Sequence, residues 1–324
     1  MNTPLIETIN LCRAFTTHAA PFAPKAVVRA VDGINLALHE GETLGLVGES
    51  GCGKSTTGKL MMGLLEPTGG EVLYRGKGLT DMDRREHAKL RAEVRMIFQD
   101  PFSSLNPRMK VGDIVAEPLI IQGTKRPAAR ELTAELLKRV GLASDHMNRY
   151  PHEFSGGQRQ RIGIARAIAG SPRVIIADEP VSALDLSIQA QILNLLQELK
   201  REFSLSFVFI SHDLSVVRHM SDRIAIMYLG KIAEIGTQEE VFSHCQHPYT
   251  EALLSAVPRV EFDSTRKRII LQGDIPSPSE PPPGCPFHTR CPYAEDLCKR
   301  VEPPLEEKRP GHPAACHFSA RIFG

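Results

Sequence analysis

A chain of 324 residues, 42% hydrophobic and 24% charged, can bury a sizeable core and is long for one ordinary domain. Its 39 Lys+Arg against 38 Asp+Glu leave a formal charge of +1, which excludes a global electrostatic footprint for nucleic acid or anionic lipid. No apolar stretch reaches the roughly 18 residues of a bilayer span, MNTPLIETIN has neither a basic segment nor an apolar signal core, and seven cysteines do not make a disulfide framework, so a cytosolic chain is expected.

In chain order, two β-rich segments at 5–11 and 27–38 flank a Pro/Ala-rich connection at 19–26, and Glu40-Gly41 turns the chain into a third strand at 43–47. That strand feeds a glycine loop and a helix, and a further strand is expected at 94–98. From Val111 to about Ala169 apolar residues recur at helical spacing, as in Leu132, Leu136, Leu137 and Val140, with breaks at Gly123 and Pro151. This predicts a helical insertion, about 103–169. Alternation then resumes, with strands at 174–177, 206–210, 224–227 and 231–235 and a helix at 187–201. Strands alternating with helices imply a largely parallel sheet covered on both faces. From Pro258 the composition shifts, with eleven of the 24 prolines between Pro276 and Pro313, and a separate irregular segment is expected there.

Gly48-Glu49-Ser50-Gly51-Cys52-Gly53-Lys54-Ser55, followed by Thr56, fits G-x-x-x-x-G-K-[ST] between a predicted strand and a predicted helix. Glycines let successive backbone N–H groups turn toward phosphate oxygens, and the helix N-terminus adds a favourable dipole. Lys54 would reach the β- and γ-phosphates and Ser55 would offer a hydroxyl to Mg²⁺. Cys52, inside the loop, reads as a structural thiol. The strand Val174-Ile175-Ile176-Ala177 ends in Asp178-Glu179, a position from which Asp178 can serve the metal and Glu179 the attacking water.

Phe154-Ser155-Gly156-Gly157-Gln158-Arg159-Gln160 resembles the signature sequence of ATP-binding-cassette proteins, with Phe154 where Leu is commoner. Ser155, Gly156, Gly157 and Gln158 open a helix, a second terminus of the kind that receives anions. The resemblance implies that the signature of one subunit closes over the ATP held by the phosphate loop of another. It also implies roles for Gln99 (a loop glutamine contacting Mg²⁺ and sensing the membrane partner), Asp185 within Ser182-Ala183-Leu184-Asp185 (a loop touching the opposite site) and His212 (a switch histidine at the γ-phosphate). Phe15 matches the aromatic that stacks on adenine in this family, and is equally suited to a core position.

The tail carries Cys285, Cys291, Cys298 and Cys316, separated by five, six and seventeen residues. Few intracellular segments concentrate cysteine in this way without a metal, and four thiolates suit either Zn²⁺ or an iron–sulfur cluster. With Gly273-Asp274-Ile275-Pro276-Ser277-Pro278 and His247-Pro248-Tyr249-Thr250, the tail resembles the C-terminal extension of dipeptide/oligopeptide importer ATPases, whose F-type subunit the phosphate loop also resembles. That resemblance implies a [4Fe–4S] cluster. Because the cysteines lie far in sequence from the phosphate loop, a structural role is expected for them.

The reading is a P-loop α/β fold of ABC type with a β-rich edge and a helical insertion over 1–257, then a Cys/Pro-rich metal-binding extension over 258–324. By resemblance it is an ATPase at the cytoplasmic face of the inner membrane, paired with a second, homologous ATPase, two permeases and, indirectly, a solute-binding protein, with no nucleic-acid partner. Glu179 would be the general base, Ser55, Gln99 and Asp178 the Mg²⁺ set. A soluble cassette ATPase of translation or DNA repair would carry two cassettes or a long coiled coil, and neither is present. A non-hydrolysing regulatory subunit would not need both Glu179 and His212.

Overall fold

The computed structural model describes residues 3–18, 25–100, 102–257 and 269–324. Its strands are β1 (Ile6–His18), β2 (Lys25–Leu38), β3 (Thr43–Val47), β4 (Gly69–Tyr74), β5 (Lys77–Gly78), β6 (Val94–Ile97), β7 (Val174–Asp178), β8 (Ser206–Ser211), β9 (Arg223–Tyr228), β10 (Lys231–Thr237), β11 (Glu306–Arg309) and β12 (His312–Ala314). The connection expected at 19–26 falls, through residue 24, outside the described residues, as does the boundary expected at 258. The chain divides into two compact units, one of Met1–Ala37, Thr43–Thr80 and Ser211–Gly324, the other of Leu38–Glu42 and Asp81–Ile210.

The first unit holds an edge sheet in the order β2-β1-β4-β5 and a run of strands in the order β11-β12-β10-β9-β3. β1 and β4 pair antiparallel, whereas β3 and β9 pair parallel. Every residue of β3 is buried, as its unbroken apolar run requires of a strand covered on both faces. The proline-rich tail is not a separate segment: β12 pairs antiparallel with β10, and β11 with β12. The outer edge of β10 carries hydrogen-bonding groups that need partners, and the tail supplies them.

The second unit holds β8-β7-β6, both pairings parallel, with helices at Arg84–Glu93, Val111–Ile121, Arg126–Arg139, Gly156–Ile168 and Leu186–Phe203. β7 and β8 are buried at every residue, and each large apolar side chain buried there contributes roughly 2 kcal/mol. In the helix Arg126–Arg139 the buried stripe runs through Ala129, Thr133, Leu136 and Leu137, while Leu132, expected on that stripe, is 41% exposed. Thr133 fits the interior because its hydroxyl donates to the Ala129 carbonyl at 2.7 Å. Among the described residues no helix is long and apolar enough to cross a membrane.

Candidate functional site

In the first unit the glycine loop joins β3 to the helix Lys54–Met61, as the motif predicts. Gly53, the helix N-cap, has φ +107°, and a Cβ there would lie 1.9 Å from the Ala30 carbonyl oxygen; one on Gly48 would lie 2.1 Å from that of Met227. Only glycine fits at either place. The ammonium of Lys54 donates to the carbonyl oxygens of Gly48 at 2.7 Å and Glu49 at 3.0 Å. Ser50 and Gly51 are exposed, and Ser55 and Thr56 sit half-buried on the first helical turn. The buried Cys52 thiol is pushed up by desolvation.

Phe15 lies half-buried on β1, with the Arg13 guanidinium over its ring at 4.7 Å from the centroid. His212 follows β8 on an exposed segment of the same unit.

In the second unit Asp178 ends β7 at 5% exposure, and the chain turns at Glu179 with φ +44°. A left-handed non-glycine residue costs of order 1–2 kcal/mol. The turn is held by the Glu179 amide, which donates to the Ile210 carbonyl at 2.9 Å, and by the Ser182 hydroxyl, which donates to the Glu179 carbonyl at 3.1 Å. Gln99, after β6, donates through its amide nitrogen to Glu179 Oε2 at 3.0 Å. The structure therefore brings together two residues that the sequence placed 80 positions apart. The arrangement orients the carboxylate through one of its oxygens.

Ser155 caps the helix Gly156–Ile168 in a capping box: its hydroxyl accepts from the Gln158 amide at 3.4 Å, and Gln158 Oε1 accepts from the Ser155 amide at 3.1 Å. A Cβ on Gly157 would lie 2.7 Å from Ile188 Cγ2, which explains the glycine on packing grounds. Phe154 is buried, edge-on to His146 with ring centroids 5.3 Å apart. Asp185 occupies the N-cap position of the helix Leu186–Phe203.

The tail cysteines Cys285, Cys291, Cys298 and Cys316 all border one small cavity, with His288 and His317 beside them. The expected metal centre stops there. Among the described residues no group of three or more His, Cys, Asp or Glu side chains is placed to hold a metal ion. Burial pushes the Cys285 thiol up to about 12 and Cys291 up to about 11, and raises Cys316.

Sequence reasoning missed a contact between this tail and the glycine loop. Arg290, 8% exposed in its side chain, donates to Glu49 Oε2 at 2.7 Å and to Oε1 at 2.9 Å. The paired carboxylate holds the guanidinium above its usual range. Beneath lie Tyr228, Tyr249 and Phe287 with ring centroids 4.7–5.3 Å apart, and the Tyr249 hydroxyl accepts from the Glu49 amide at 3.0 Å. Tyr249 belongs to the His247-Pro248-Tyr249-Thr250 stretch already singled out, which was the available signal.

Residues 31–182 match the family model for ABC transporters, and residues 233–298 that for the oligopeptide/dipeptide transporter C-terminal region. The chain is 53% identical to the oligopeptide transport ATP-binding protein AppF of Bacillus subtilis (strain 168), over 97% of each chain. It is 48% identical to the dipeptide transport ATP-binding protein DppF of Escherichia coli (strain K12), over 94% of this chain and 91% of that one. Among solved structures it is similar to a dimeric post-hydrolysis ATP-binding cassette bound to ADP and Pi, with TM-score 0.63 and 30% identity over 72% of this chain and 98% of that one.

Proposed function

Because this chain belongs to the ABC transporter ATP-binding proteins that carry an oligopeptide/dipeptide transporter C-terminal region, we propose that it hydrolyses ATP to power uptake of dipeptides, oligopeptides or a related solute through partner permeases. The observation that carries the nucleotide part is the loop geometry: glycines that only glycine can replace, leading into a helix N-terminus with the Lys54 ammonium at the loop carbonyls. Gly48, Glu49, Ser50, Gly51, Cys52, Gly53, Lys54, Ser55 and Thr56 line the phosphates, and Phe15 stacks on the base. Mg²⁺, when bound, neutralises phosphate charge, and Ser55, Gln99 and Asp178 offer it the hard oxygens it prefers.

Hydrolysis needs a base. Glu179 takes a proton from the water that attacks the γ-phosphorus, the bond to the β,γ-bridging oxygen breaks, and ADP leaves with its charge held by Lys54 and the loop amides. The hydrogen bond from Gln99 to Glu179 Oε2 orients the carboxylate for that water. His212 contacts the γ-phosphate. Ser155, Gly156, Gly157 and Gln158 close over the ATP of a second, homologous ATPase subunit, and Asp185 touches the opposite site. Measured nucleotide binding tests the assignment: Lys54→Ala should weaken ATP binding at least about tenfold, since it removes the ammonium that the loop itself carries, and unchanged affinity would overturn the assignment.

At the cytoplasmic face of the inner membrane the chain would pair with the second ATPase subunit and two transmembrane permeases and, indirectly, serve a solute-binding protein. The docking groove for a permease helix is expected over 99–113, and residues Met109, Lys110, Gly112 and Asp113 of that stretch border a groove completed by Ile120 and Ile121. Ile121 is 75% exposed there, an apolar surface suited to a partner. The soluble and non-hydrolysing alternatives have no comparable support. We place the boundary between the ATP-binding domain, 1–257, and the C-terminal extension, 258–324, at a chain position only, since β12 of the extension pairs with β10. In the second part four soft sulfur donors border one cavity, which supports Cys285, Cys291, Cys298 and Cys316 as the residues that would hold a [4Fe–4S] cluster, or Zn²⁺, and tie the tail together.

A further inference from the structure

Glu49, in the phosphate loop, is held from three directions. Its amide donates to the Tyr249 hydroxyl at 3.0 Å, its carbonyl accepts from the Lys54 ammonium at 3.0 Å, and its carboxylate takes both arms of the Arg290 fork at 2.7 and 2.9 Å. Two of these partners, Tyr249 and Arg290, come from beyond β10, and Arg290 lies in the cysteine-rich tail. The Arg290 guanidinium is itself fixed. It stands 5.9 Å from the centroid of the Tyr228 ring and donates to the Tyr228 hydroxyl at 3.5 Å, while Tyr228 packs edge-on against Phe287 of the same tail.

A bidentate guanidinium–carboxylate pair constrains both distance and plane, and half-burial strengthens it relative to a surface pair. A second consequence is electrostatic. Glu49 puts a negative charge on the loop that must receive phosphate, and Arg290 neutralises it from the other side. We infer that Arg290 is a positioning residue for the phosphate loop, acting through Glu49, so that the C-terminal extension sets the affinity of the chain for nucleotide. The inference rests on the reading of residues 48–56 as the ATP site. It extends the structural role expected of the tail to the nucleotide loop.

The test uses the full chain, a fluorescent ATP analogue for affinity, steady-state hydrolysis and the thermal midpoint without nucleotide. Arg290→Gln should weaken analogue binding roughly tenfold and raise KM for ATP in step, with kcat within about threefold of the unaltered chain, because the fork holds the loop and touches no reacting atom. Glu49→Gln with Arg290→Gln should lose no more than Arg290→Gln alone, since the two act as one unit. Arg290→Lys keeps the charge without the fork and should fall between; it serves as the variant of record where Arg290→Gln does not fold. Wild-type affinity in a folded Arg290 variant overturns the inference, as do strictly additive losses or an affinity loss fully explained by a smaller folded fraction. Lys54→Ala separates the two levels: if it binds the analogue normally, the site reading fails, and if it does not while the Arg290 variants do, only the inference fails.

Discussion

Glu234 and His312 form a pair with no side-chain exposure on either partner, His312 Nε2 to Glu234 Oε1 at 2.7 Å, across the pairing of β10 and β12. The same Oε1 accepts from the Gln246 amide at 2.7 Å, and Gln246 Oε1 accepts from the Ser319 hydroxyl at 2.8 Å. This network fastens the tail to the strands of the first unit. His312→Ala strips the buried Glu234 side chain of one hydrogen-bond partner, a change that costs about 1–3 kcal/mol. Calorimetry should show a lower thermal midpoint, and hydrogen exchange should rise over 306–319 more than elsewhere. Unchanged exchange there would show that the tail is held by other contacts.

The groove bordered by Met109, Ile120 and Ile121 carries the coupling prediction. Ile121→Asp should leave the hydrolysis rate of the isolated chain unchanged, because the side chain is exposed and touches no nucleotide residue. In the assembled transporter the same change should lower transport and permease-stimulated hydrolysis at least several-fold. Equal transport by both forms would place the docking surface elsewhere.

For the tail cysteines the two metals differ in optics. Anaerobically purified protein carrying [4Fe–4S] should be brown, with iron and sulfide at about four each per chain, whereas zinc would leave it colourless. Absence of iron, sulfide and zinc would overturn the metal assignment and leave the four residues as packed thiols, three of them buried.

What the sequence made legible follows from how locally each feature is encoded. The phosphate loop is compressed into contiguous residues, so its glycines, Lys54 and Ser55 could be read together. Val174–Asp178 and Ser206–Ser211 were readable because buried parallel strands are continuous apolar runs. The helix Arg84–Glu93 was missed because it buries only Leu90 and has almost no apolar face, although Asp83 and Glu86 form a capping box. Leu132 was assigned to the wrong face because Ala129 and Thr133 give little apolar signal. β12 is three residues long and has no period to detect. Gln99 and Glu179 were singled out separately, but their hydrogen bond depends on a left-handed turn at Glu179 that no residue type there announces. The Arg290–Glu49 pair joins positions 241 apart, where only tertiary structure can speak.

The central claim is that Glu179, oriented by Gln99, is the base for ATP hydrolysis, and steady-state turnover measured beside ATP affinity tests it most directly. Glu179→Gln keeps the shape and an acceptor oxygen but cannot take the proton, so it should bind ATP as the unaltered chain does while turnover falls by about a hundredfold or more. Turnover by Glu179→Gln at the unaltered rate, with affinity intact, would contradict the account.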